Sequence, residues 1–377
     1  MSAPGTGRAE EAATTRRLEI NGATLAVDDS ALSDPAAGAK PAIITLHGAP
    51  GMGSRRNDWE VYAAFTDRFR VVSYDQRGSG SSSDTPPYTH EQFAADTDAV
   101  RRTLGLGDKV VIAGGSYGGY LAQEYALRYP EHVSAVVLRD TAAHSGHKGE
   151  AMRVALESPY PMDQGELERL FEGRTTSDDD FRALIAMIMP LYTTTYDPDR
   201  DASQVAAMQI HHATHNYAFA HNQQGFDLRA RLGELRVPVL ITVGRHDWIT
   251  PLAASEELHA LIPRSELVIF ENSGHGPQNE EREAWRAAVR RFLDRGVPAW
   301  ASRPGQVLAR PPVARSGPPL ARPSGPPWPP SGRRSTRSVP RRRTHARKAP
   351  ARTSSSSSTT STSSTSRASC SARPSGR

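Results

Sequence analysis

The sequence predicts an α/β fold with a mostly parallel central sheet, helices on both faces of that sheet and an inserted helical cap. Short runs rich in Val, Ile and Leu alternate with amphipathic stretches over residues 16–296, which is typical of a parallel sheet covered by helices. The runs lack polar alternation, so both faces of the sheet should be buried. Over residues 141–233 the periodicity is helical only, and this block is far longer than a simple crossover between parallel strands.

Six apolar runs of strand length mark the predicted strands. In chain order they are Pro41–Gly48, Phe69–Asp75, Lys109–Gly115, Val133–Asp140, Val237–Gly244 and Ser265–Glu271. In an open parallel sheet, functional residues are expected just past the carboxyl ends of such strands.

The predicted helices carry their own start and stop signals. Thr89 and Gln92 have the spacing of a capping box, and Gly105 would close the helix that they begin. A second helix is predicted over residues 117–129, before a proline. The final helix is predicted over residues 281–295, as the last structured element.

The predicted domains are two parts of one core, residues 16–140 and 234–296, with the cap at 141–233 between them. A flexible N-terminus (1–15) and a disordered tail (297–377) flank them. The N-terminus lacks the apolar segment of a secretory signal, and no run reaches the roughly 18 to 20 apolar residues of a membrane span. The single cysteine lies in the tail, so disulfides are not expected. We therefore expect a cytoplasmic protein without membrane association.

The charge of the chain is divided unevenly. Its 46 Lys and Arg residues exceed its 41 Asp and Glu residues, which gives a formal net charge of +5. Residues 304–377 hold 14 arginines, one lysine and no acidic residue, so the rest of the chain carries a net charge of −10. Three interpretations of this tail are open. It could contact nucleic-acid phosphates, it could be a solvated linker, or it could result from out-of-frame translation of a GC-rich gene. Nucleic-acid binding is expected through the tail alone and is disfavoured as the main function.

The segment Gly114-Gly115-Ser116-Tyr117-Gly118 lies between a predicted buried strand and a predicted helix. It is a G-x-S-x-G nucleophile elbow in the context that this motif requires. The glycines two residues before and after the serine lack a Cβ, which lets the helix pack against the strand while the serine is strained. Ser116 is therefore the candidate nucleophile.

A serine nucleophile needs a histidine base and a carboxylate that orients this base. Asp247 follows the predicted strand at 237–244, and His275 follows the one at 265–271. The chain order Ser116, Asp247, His275 is the one that this elbow architecture requires. His246 is the rival base, but it precedes the acid in the chain, so we prefer His275.

The oxyanion that forms on a substrate carbonyl needs two preorganised N–H donors. One candidate is the backbone N–H of Tyr117, directly after the nucleophile. The second is expected from the loop after the first predicted strand, where small residues let a main-chain N–H approach. We favour Ala49 for this role, with Gly48 as the alternative.

Five segments occur in a characteristic order: HGAPG, DQRGSGSS (75–82), GGSYGG, GRHDWITP and NSGHGP. Together they resemble the α/β-hydrolase superfamily and, within it, the prolyl iminopeptidases and the tricorn-interacting aminopeptidase, over roughly residues 18–295. The resemblance implies Ser116 as nucleophile, Asp247 as orienting acid and His275 as base. It also implies a serine hydrolase that releases N-terminal proline or another small amino acid from short peptides or amino-acid amides, with no metal or cofactor.

Three features depart from that family. The first loop reads HGAPG in place of HGGPG, and Tyr117 stands where many members have Trp. The glutamates with which these peptidases hold a free amine have no counterpart in residues 211–222, which contain no carboxylate. The remaining cap candidates are Glu150, Glu157, Asp163 and Glu166. An esterase, lactonase or amidase with the same triad, acting on a small non-peptide metabolite, is therefore the alternative. A nucleic-acid-associated protein acting through the Arg-rich tail is the alternative of another class.

Four histidines of the cap invite comparison with a metal site, since two of them have i, i+4 spacing. They are His211, His212, His215 and His221. No carboxylate of the HExxH type accompanies them, so we expect a polar pocket lining or a solvated face and no metal ligand. Asp75 is expected to fix a turn near the mouth of the site, and Trp248 is expected to pack.

Overall fold

The computed structural model describes the backbone of residues 15–300 and the side chains of residues 15–295. The N-terminus predicted to be flexible falls outside these residues except for Thr15. The predicted basic tail falls outside them from residue 301 onward, together with the cysteine.

Eight strands form one sheet within the described residues, in the spatial order β1-β2-β4-β3-β5-β6-β7-β8. The strands are β1 (Thr15–Ile20), β2 (Ala23–Asp29), β3 (Ala42–Leu46), β4 (Arg70–Tyr74), β5 (Val110–Gly115), β6 (Val133–Arg139), β7 (Val239–Gly244) and β8 (Ser265–Phe270). Strands β3 to β8 pair in parallel, whereas the pairs β1–β2 and β2–β4 are antiparallel. The predicted α/β fold with a mostly parallel sheet is confirmed.

The six predicted strands are present as β3 to β8, and the hairpin β1–β2 is an addition. Its turn is Asn21-Gly22, with φ of +48° and +79°, and Asn-Gly is a strong sequence signal for a tight hairpin. The expectation that every predicted strand is buried on both faces is wrong for β8. This strand lies at the edge of the sheet, so Glu266 is exposed and four of its neighbours are half-buried.

Eleven α-helices accompany the sheet within residues 15–300. They are α1 (Arg55–Tyr62), α2 (His90–Thr103), α3 (Tyr117–Arg128), α4 (Lys148–Glu157), α5 (Gln164–Phe171), α6 (Asp178–Ile188), α7 (Pro198–Ala207), α8 (His212–Tyr217), α9 (Leu252–Leu261), α10 (Pro277–Glu280) and α11 (Arg282–Trp300). Helices α4 to α8 form an insertion between β6 and β7. None of the helices in this part of the chain is long and apolar enough to cross a membrane.

Alternate residues of the central strands face two hydrophobic layers. Val72 and Ile112 pack with residues of α2 and α3 on one face of the sheet. Val71 and Val111 pack on the other face, where Trp285 of α11 is fully buried. Burial on both faces explains why the strand sequences show no polar alternation.

The insertion has a hydrophobic cluster of its own. Leu167, Phe181 and Ile185 are buried in it, and Trp248 joins it from the loop after β7. Trp248 is 4% exposed, so it is a packing residue. The insertion thus buries its apolar side chains partly against itself and partly against loops that follow the strands of the sheet.

The helix signals are only partly as predicted. The Thr89 hydroxyl accepts the N–H of Gln92 at 3.1 Å, which is one half of the capping box. The Gln92 side-chain amide donates to Asp96 at 2.9 Å. The last helix continues to Trp300, past the predicted end at residue 295. Sequence patterns locate helix ends only to within a few residues.

Candidate active site

The elbow puts Ser116 at the point where β5 ends and α3 begins. Its backbone has φ of +53° and ψ of −124°, a conformation that is strained for a residue with a Cβ. Its N–H donates to the carbonyl of Arg139 at the end of β6, at 2.8 Å. This bond ties the elbow to the neighbouring strand.

Gly114 and Gly118, two residues before and two residues after Ser116, lie where only glycine fits, because other backbone atoms come very close to them. A Cβ at Gly114 would lie 2.1 Å from the carbonyl oxygen of Gly118, and a Cβ at Gly118 would lie 1.9 Å from that of Leu46. Both distances are far inside van der Waals contact. Strands β3 and β5 and helix α3 therefore approach each other through backbone atoms at the elbow.

Gly118→Ala should lower the free energy of unfolding by about 3 kcal/mol, because the added methyl group meets a backbone carbonyl in a packed core. The matched control is Gly149→Ala in α4, where a Cβ meets nothing within 4 Å and alanine is the better helix former. Urea-induced unfolding of both variants measures the difference. Equal stability of the two variants would contradict the close approach at the elbow.

Asp247 and His275 meet although 28 positions separate them in the chain. His275 Nδ1 lies 2.8 Å from Asp247 Oδ2. The carboxylate also accepts the N–H groups of Ile249 and Thr250 at 3.0 Å and the Thr250 hydroxyl at 2.8 Å. With Nδ1 used in this way, Nε2 is the nitrogen that can take a proton. His246, the rival base, is exposed on the surface.

The surroundings of His275 favour its charged form. Burial opposes the charge, but the carboxylate of Asp247 and its hydrogen bond outweigh burial and raise the pKa of His275 above its ordinary value. The charge of Asp140 acts in the same direction, and Arg139 opposes it. His275 therefore becomes a neutral base at a higher pH than an unperturbed histidine does.

The loop after β3 lies directly against the elbow. A Cβ at Gly48 would come within 2.8 Å of the Gly115 carbonyl oxygen, and Ala49 turns the loop with a φ of +50°. Tyr117 is the first residue of α3, so its N–H has no carbonyl partner inside the helix. Gly48, Ala49 and Tyr117 line the same cavity as Ser116.

Buried polar groups fix this loop. His47 Nε2 accepts the N–H of Gln76 at 3.1 Å, so Nδ1 carries the proton and donates to the carbonyl of Gly48 at 2.9 Å. Burial lowers the pKa of His47 and so favours this neutral form. Asp75 accepts both the backbone N–H and the guanidinium of Arg55 at 2.6 Å. It also accepts the N–H of Ser81 at 2.8 Å, so it fixes the turn that follows β4, as the sequence indicates.

The insertion supplies a segment that contacts His275, and the sequence analysis does not predict this contact. The N–H of His275 donates to the carbonyl of Tyr192 at 3.0 Å, and the two rings meet edge to face with centroids 5.3 Å apart. Glu280 accepts the N–H of Gly274 at 2.8 Å and that of Thr194 at 2.7 Å. The position of His275 therefore depends on the insertion as well as on β8.

Ser116 and His275 line a cavity of about 1290 Å³. The insertion contributes apolar side chains to its wall, among them Phe171, Phe181, Ile185, Ile188, Met189 and Phe219. Six acidic residues line the cavity, and they are Asp58, Glu60, Asp140, Glu172, Asp201 and Glu280. The insertion also contributes polar side chains to the wall, among them Lys148, Arg200 and Gln204, so its side of the cavity is both apolar and polar.

The cap carboxylates named from the sequence as amine-binding candidates do not line this cavity, which corrects that expectation. These carboxylates lie on the outer side of the insertion, and each of them has a partner there. Glu150 and Glu157 pair with Arg153, Glu166 pairs with Arg169, and Asp163 caps the N-terminus of α5.

The cap histidines at i, i+4 spacing have separate partners. His211 Nε2 lies 2.9 Å from the carbonyl oxygen of Gly80, and its Nδ1 lies 2.8 Å from Asp84. His215 is buried and bonds the carbonyl of Leu170 at 2.9 Å. The two rings do not share a ligand position.

A different group, His144, His147 and Glu257, brings three candidate ligand atoms within 4.8 Å of one another. His144 Nδ1 accepts the N–H of Gly146 at 2.8 Å, so the proton lies on Nε2, which faces Glu257 at 3.1 Å. A metal ion at Nε2 would have to displace that proton. We therefore interpret the group as an electrostatic contact between the start of the insertion and α9.

Comparison with known proteins extends over most of the described residues. A family model described as the alpha/beta hydrolase fold matches residues 41–281. The proline iminopeptidase PfmaB of Pestalotiopsis fici is 34% identical over 283 residues, which cover 74% of this chain and 99% of that protein. A proline iminopeptidase of Saccharolobus solfataricus is 26% identical over 265 residues, or 67% of this chain and 84% of that protein.

Solved structures of hydrolases share the fold. A thermophilic esterase from Thermogutta terrifontis is similar with a TM-score of 0.58 and 26% identity, over 75% of this chain and 99% of the esterase. The enol-lactonase from Burkholderia xenovorans LB400 has a TM-score of 0.59 and 23% identity, over 74% of this chain and 100% of the lactonase. At this identity the second likeness shows the fold alone.

Proposed function

Because this chain belongs to the α/β-hydrolase fold family, we propose that it is a serine hydrolase that releases N-terminal proline or another small amino acid from short peptides or amino-acid amides. The observation that carries the proposal is that Ser116 and His275 line one cavity, with Asp247 hydrogen-bonded to His275. The similarity to proline iminopeptidases supports the substrate class.

In the proposed reaction, His275 Nε2 takes the proton of the Ser116 hydroxyl while the hydroxyl oxygen attacks the substrate carbonyl. Asp247 keeps the ring oriented and stabilises the imidazolium that forms. The tetrahedral intermediate then expels its amine, which receives the proton from His275, and an acyl-enzyme remains on Ser116. Water, activated by the same base, hydrolyses this ester.

The negative charge on the tetrahedral intermediate is proposed to accept two backbone hydrogen bonds. Tyr117 N–H is the first donor, since the start of a helix favours negative charge. Ala49 N–H is the second, with Gly48 as the alternative. A donor of this kind lowers the barrier by roughly 3 kcal/mol, because it is already oriented before the charge develops.

An esterase, lactonase or amidase that acts on a small non-peptide metabolite is the second candidate, and one observation favours it. A free amine is best held by an unpaired carboxylate. The two carboxylates that the insertion contributes to the cavity wall are already paired, Glu172 with Arg174 at 2.8 Å and Asp201 with Arg200 at 2.8 Å. Glu280 accepts backbone N–H groups through both of its oxygens.

Hydrolysis of prolyl p-nitroanilide and of its N-acetyl derivative, measured side by side, distinguishes the two candidates. An aminopeptidase should prefer the free amine by at least about a hundredfold in kcat/KM, because the acetylated substrate leaves the amine site unpaired. Equal rates, or a preference for the acetylated substrate, would favour the second candidate. A protein that hydrolyses neither anilide and no p-nitrophenyl ester would contradict both.

The cytoplasmic location, the lack of membrane partners and the lack of a metal or cofactor stay predictions from the sequence. Contact with nucleic acid is proposed at most for the Arg-rich tail, which lies outside the described residues.

A further inference from the structure

Asp140 is a buried carboxylic acid at the catalytic edge of the sheet that the proposed reaction does not use. It directly follows β6, and it is 1% exposed. Its φ is +47°, a left-handed conformation that is uncommon for residues other than glycine. A carboxyl group held in such a backbone conformation at the end of a parallel strand points to a role at the site.

The hydrogen bonds of Asp140 leave one of its oxygens unused. Its N–H donates to the carbonyl of Thr242 at 2.9 Å, and its Oδ1 accepts the N–H of Gly244 at 3.1 Å. Its Oδ2 is buried and has no hydrogen-bond partner. A buried carboxylate oxygen without a hydrogen-bond partner is unfavourable for folding, so the molecule keeps it against a stability cost.

The neighbours of Asp140 are the groups of the proposed triad. Asp140 follows the strand residue whose carbonyl accepts the N–H of Ser116, and it lines the same cavity. Gly244 holds both acids, because its N–H binds Asp140 and its carbonyl accepts the N–H of Asp247 at 3.2 Å. The charges of Asp140 and Asp247 both act on His275.

We propose that Asp140 is a positioning residue for His275, a second carboxyl group that supports the imidazolium together with Asp247 and replaces it in part when Asp247 is removed. This inference rests on the proposed serine-hydrolase function. Its Oδ2, which has no other partner, is the atom that would take over the support of the ring.

The charges around Asp140 fit this role. Burial, and then the like charge of Asp247, raise the pKa of Asp140 above its ordinary value, whereas His275 and Arg139 act to lower it. While Asp247 is ionised, Asp140 therefore loses its proton at a higher pH than a free carboxyl group does. Loss of the charge of Asp247 should lower the pKa of Asp140 and leave a carboxylate beside the histidine.

The test is a double-mutant cycle read out by labelling with a fluorophosphonate, which needs no knowledge of the natural substrate. In this reaction the Ser116 oxygen displaces fluoride from phosphorus, and the hydroxyl proton passes to His275. The four proteins are wild type, Asp140→Asn, Asp247→Asn and the double variant. Asparagine tolerates the left-handed conformation, and Asp140→Gly is a second variant that removes the carboxyl group without backbone strain.

Asp247→Asn should lower the labelling rate by about a hundredfold, in place of the roughly ten-thousandfold loss expected when a triad has a single acid. The double variant should lose at least a further tenfold. Asp140→Asn and Asp140→Gly should both move the acid limb of the rate profile to lower pH, because the negative charge of Asp140 raises the pKa of His275. Asp108→Asn, an exposed control of the same charge, should leave the profile in place.

Equal rates for Asp247→Asn and the double variant, or an acid limb that does not move in either Asp140 variant, would overturn the inference while the proposed function stands. A wild-type protein that is not labelled at Ser116 would overturn both. Thermal unfolding of each variant shows that the compared proteins are folded.

Discussion

Ser116→Ala should lower kcat/KM by at least about a thousandfold, because no acyl-enzyme forms without the hydroxyl and only the oxyanion donors and substrate binding remain. The fold should be retained, since the elbow conformation is set by the flanking glycines and by backbone bonds. Steady-state kinetics on the better anilide or ester substrate measures the loss. Intact mass after fluorophosphonate treatment should show one adduct on the wild type and none on the variant.

The control for this prediction is Ser203→Ala, an exposed serine of α7 whose hydroxyl donates to a backbone carbonyl within its own helix. This variant should stay within about threefold of wild-type activity, since surface changes of this kind alter free energies by only a few tenths of a kcal/mol. Hydrolysis that persists undiminished in Ser116→Ala would show that another nucleophile does the chemistry.

His275→Ala should also lower kcat/KM by at least about a thousandfold, because Ser116 then has no base and the leaving amine has no acid. The pH profile of the wild type gives an independent readout. Protonated His275 cannot accept the serine proton, so kcat/KM should fall as pH decreases through the raised pKa. We expect this acid limb above pH 6.5, roughly the ordinary pKa of histidine.

His246→Ala is the matched control, because His246 is adjacent to Asp247 in the chain but exposed. It should keep both the rate and the acid limb of the wild type. An acid limb well below pH 6.5 in the wild type would contradict the electrostatic support of His275 by Asp247. Similar losses in the two histidine variants would contradict the choice of base.

The parts of the fold that follow a strict local pattern could be predicted from the sequence. The strands β3 to β7 are apolar on both faces because both faces are buried, and this shows directly in their sequences. The nucleophile elbow could be predicted for a similar reason, since close backbone contacts require glycine at positions 114 and 118. The β1–β2 hairpin has a weaker pattern, and only its Asn21-Gly22 turn marks it.

The features that depend on distant parts of the chain could not be predicted. Nothing near Glu280 in sequence indicates that it would link Thr194 of the insertion to Gly274 beside the histidine. Asp140 does carry one signal, as a carboxylate at the end of a predicted buried strand, but its proximity to Asp247 follows from the packing of β6 against β7. Such contacts are set by tertiary structure, which a local pattern does not contain.

The contact of Tyr192 with His275 has a consequence for protein engineering. The insertion resembles an exchangeable part, because its two ends connect to the adjacent strands β6 and β7. However, the carbonyl of Tyr192 in the insertion accepts the backbone N–H of His275. Glu280 binds both Thr194 of the insertion and Gly274 in the loop that carries His275. A chimera that takes its insertion from another hydrolase must therefore keep the segment from Tyr192 to Thr194. Without this segment His275 would lose its position, and kcat would fall while the substrate selectivity changes.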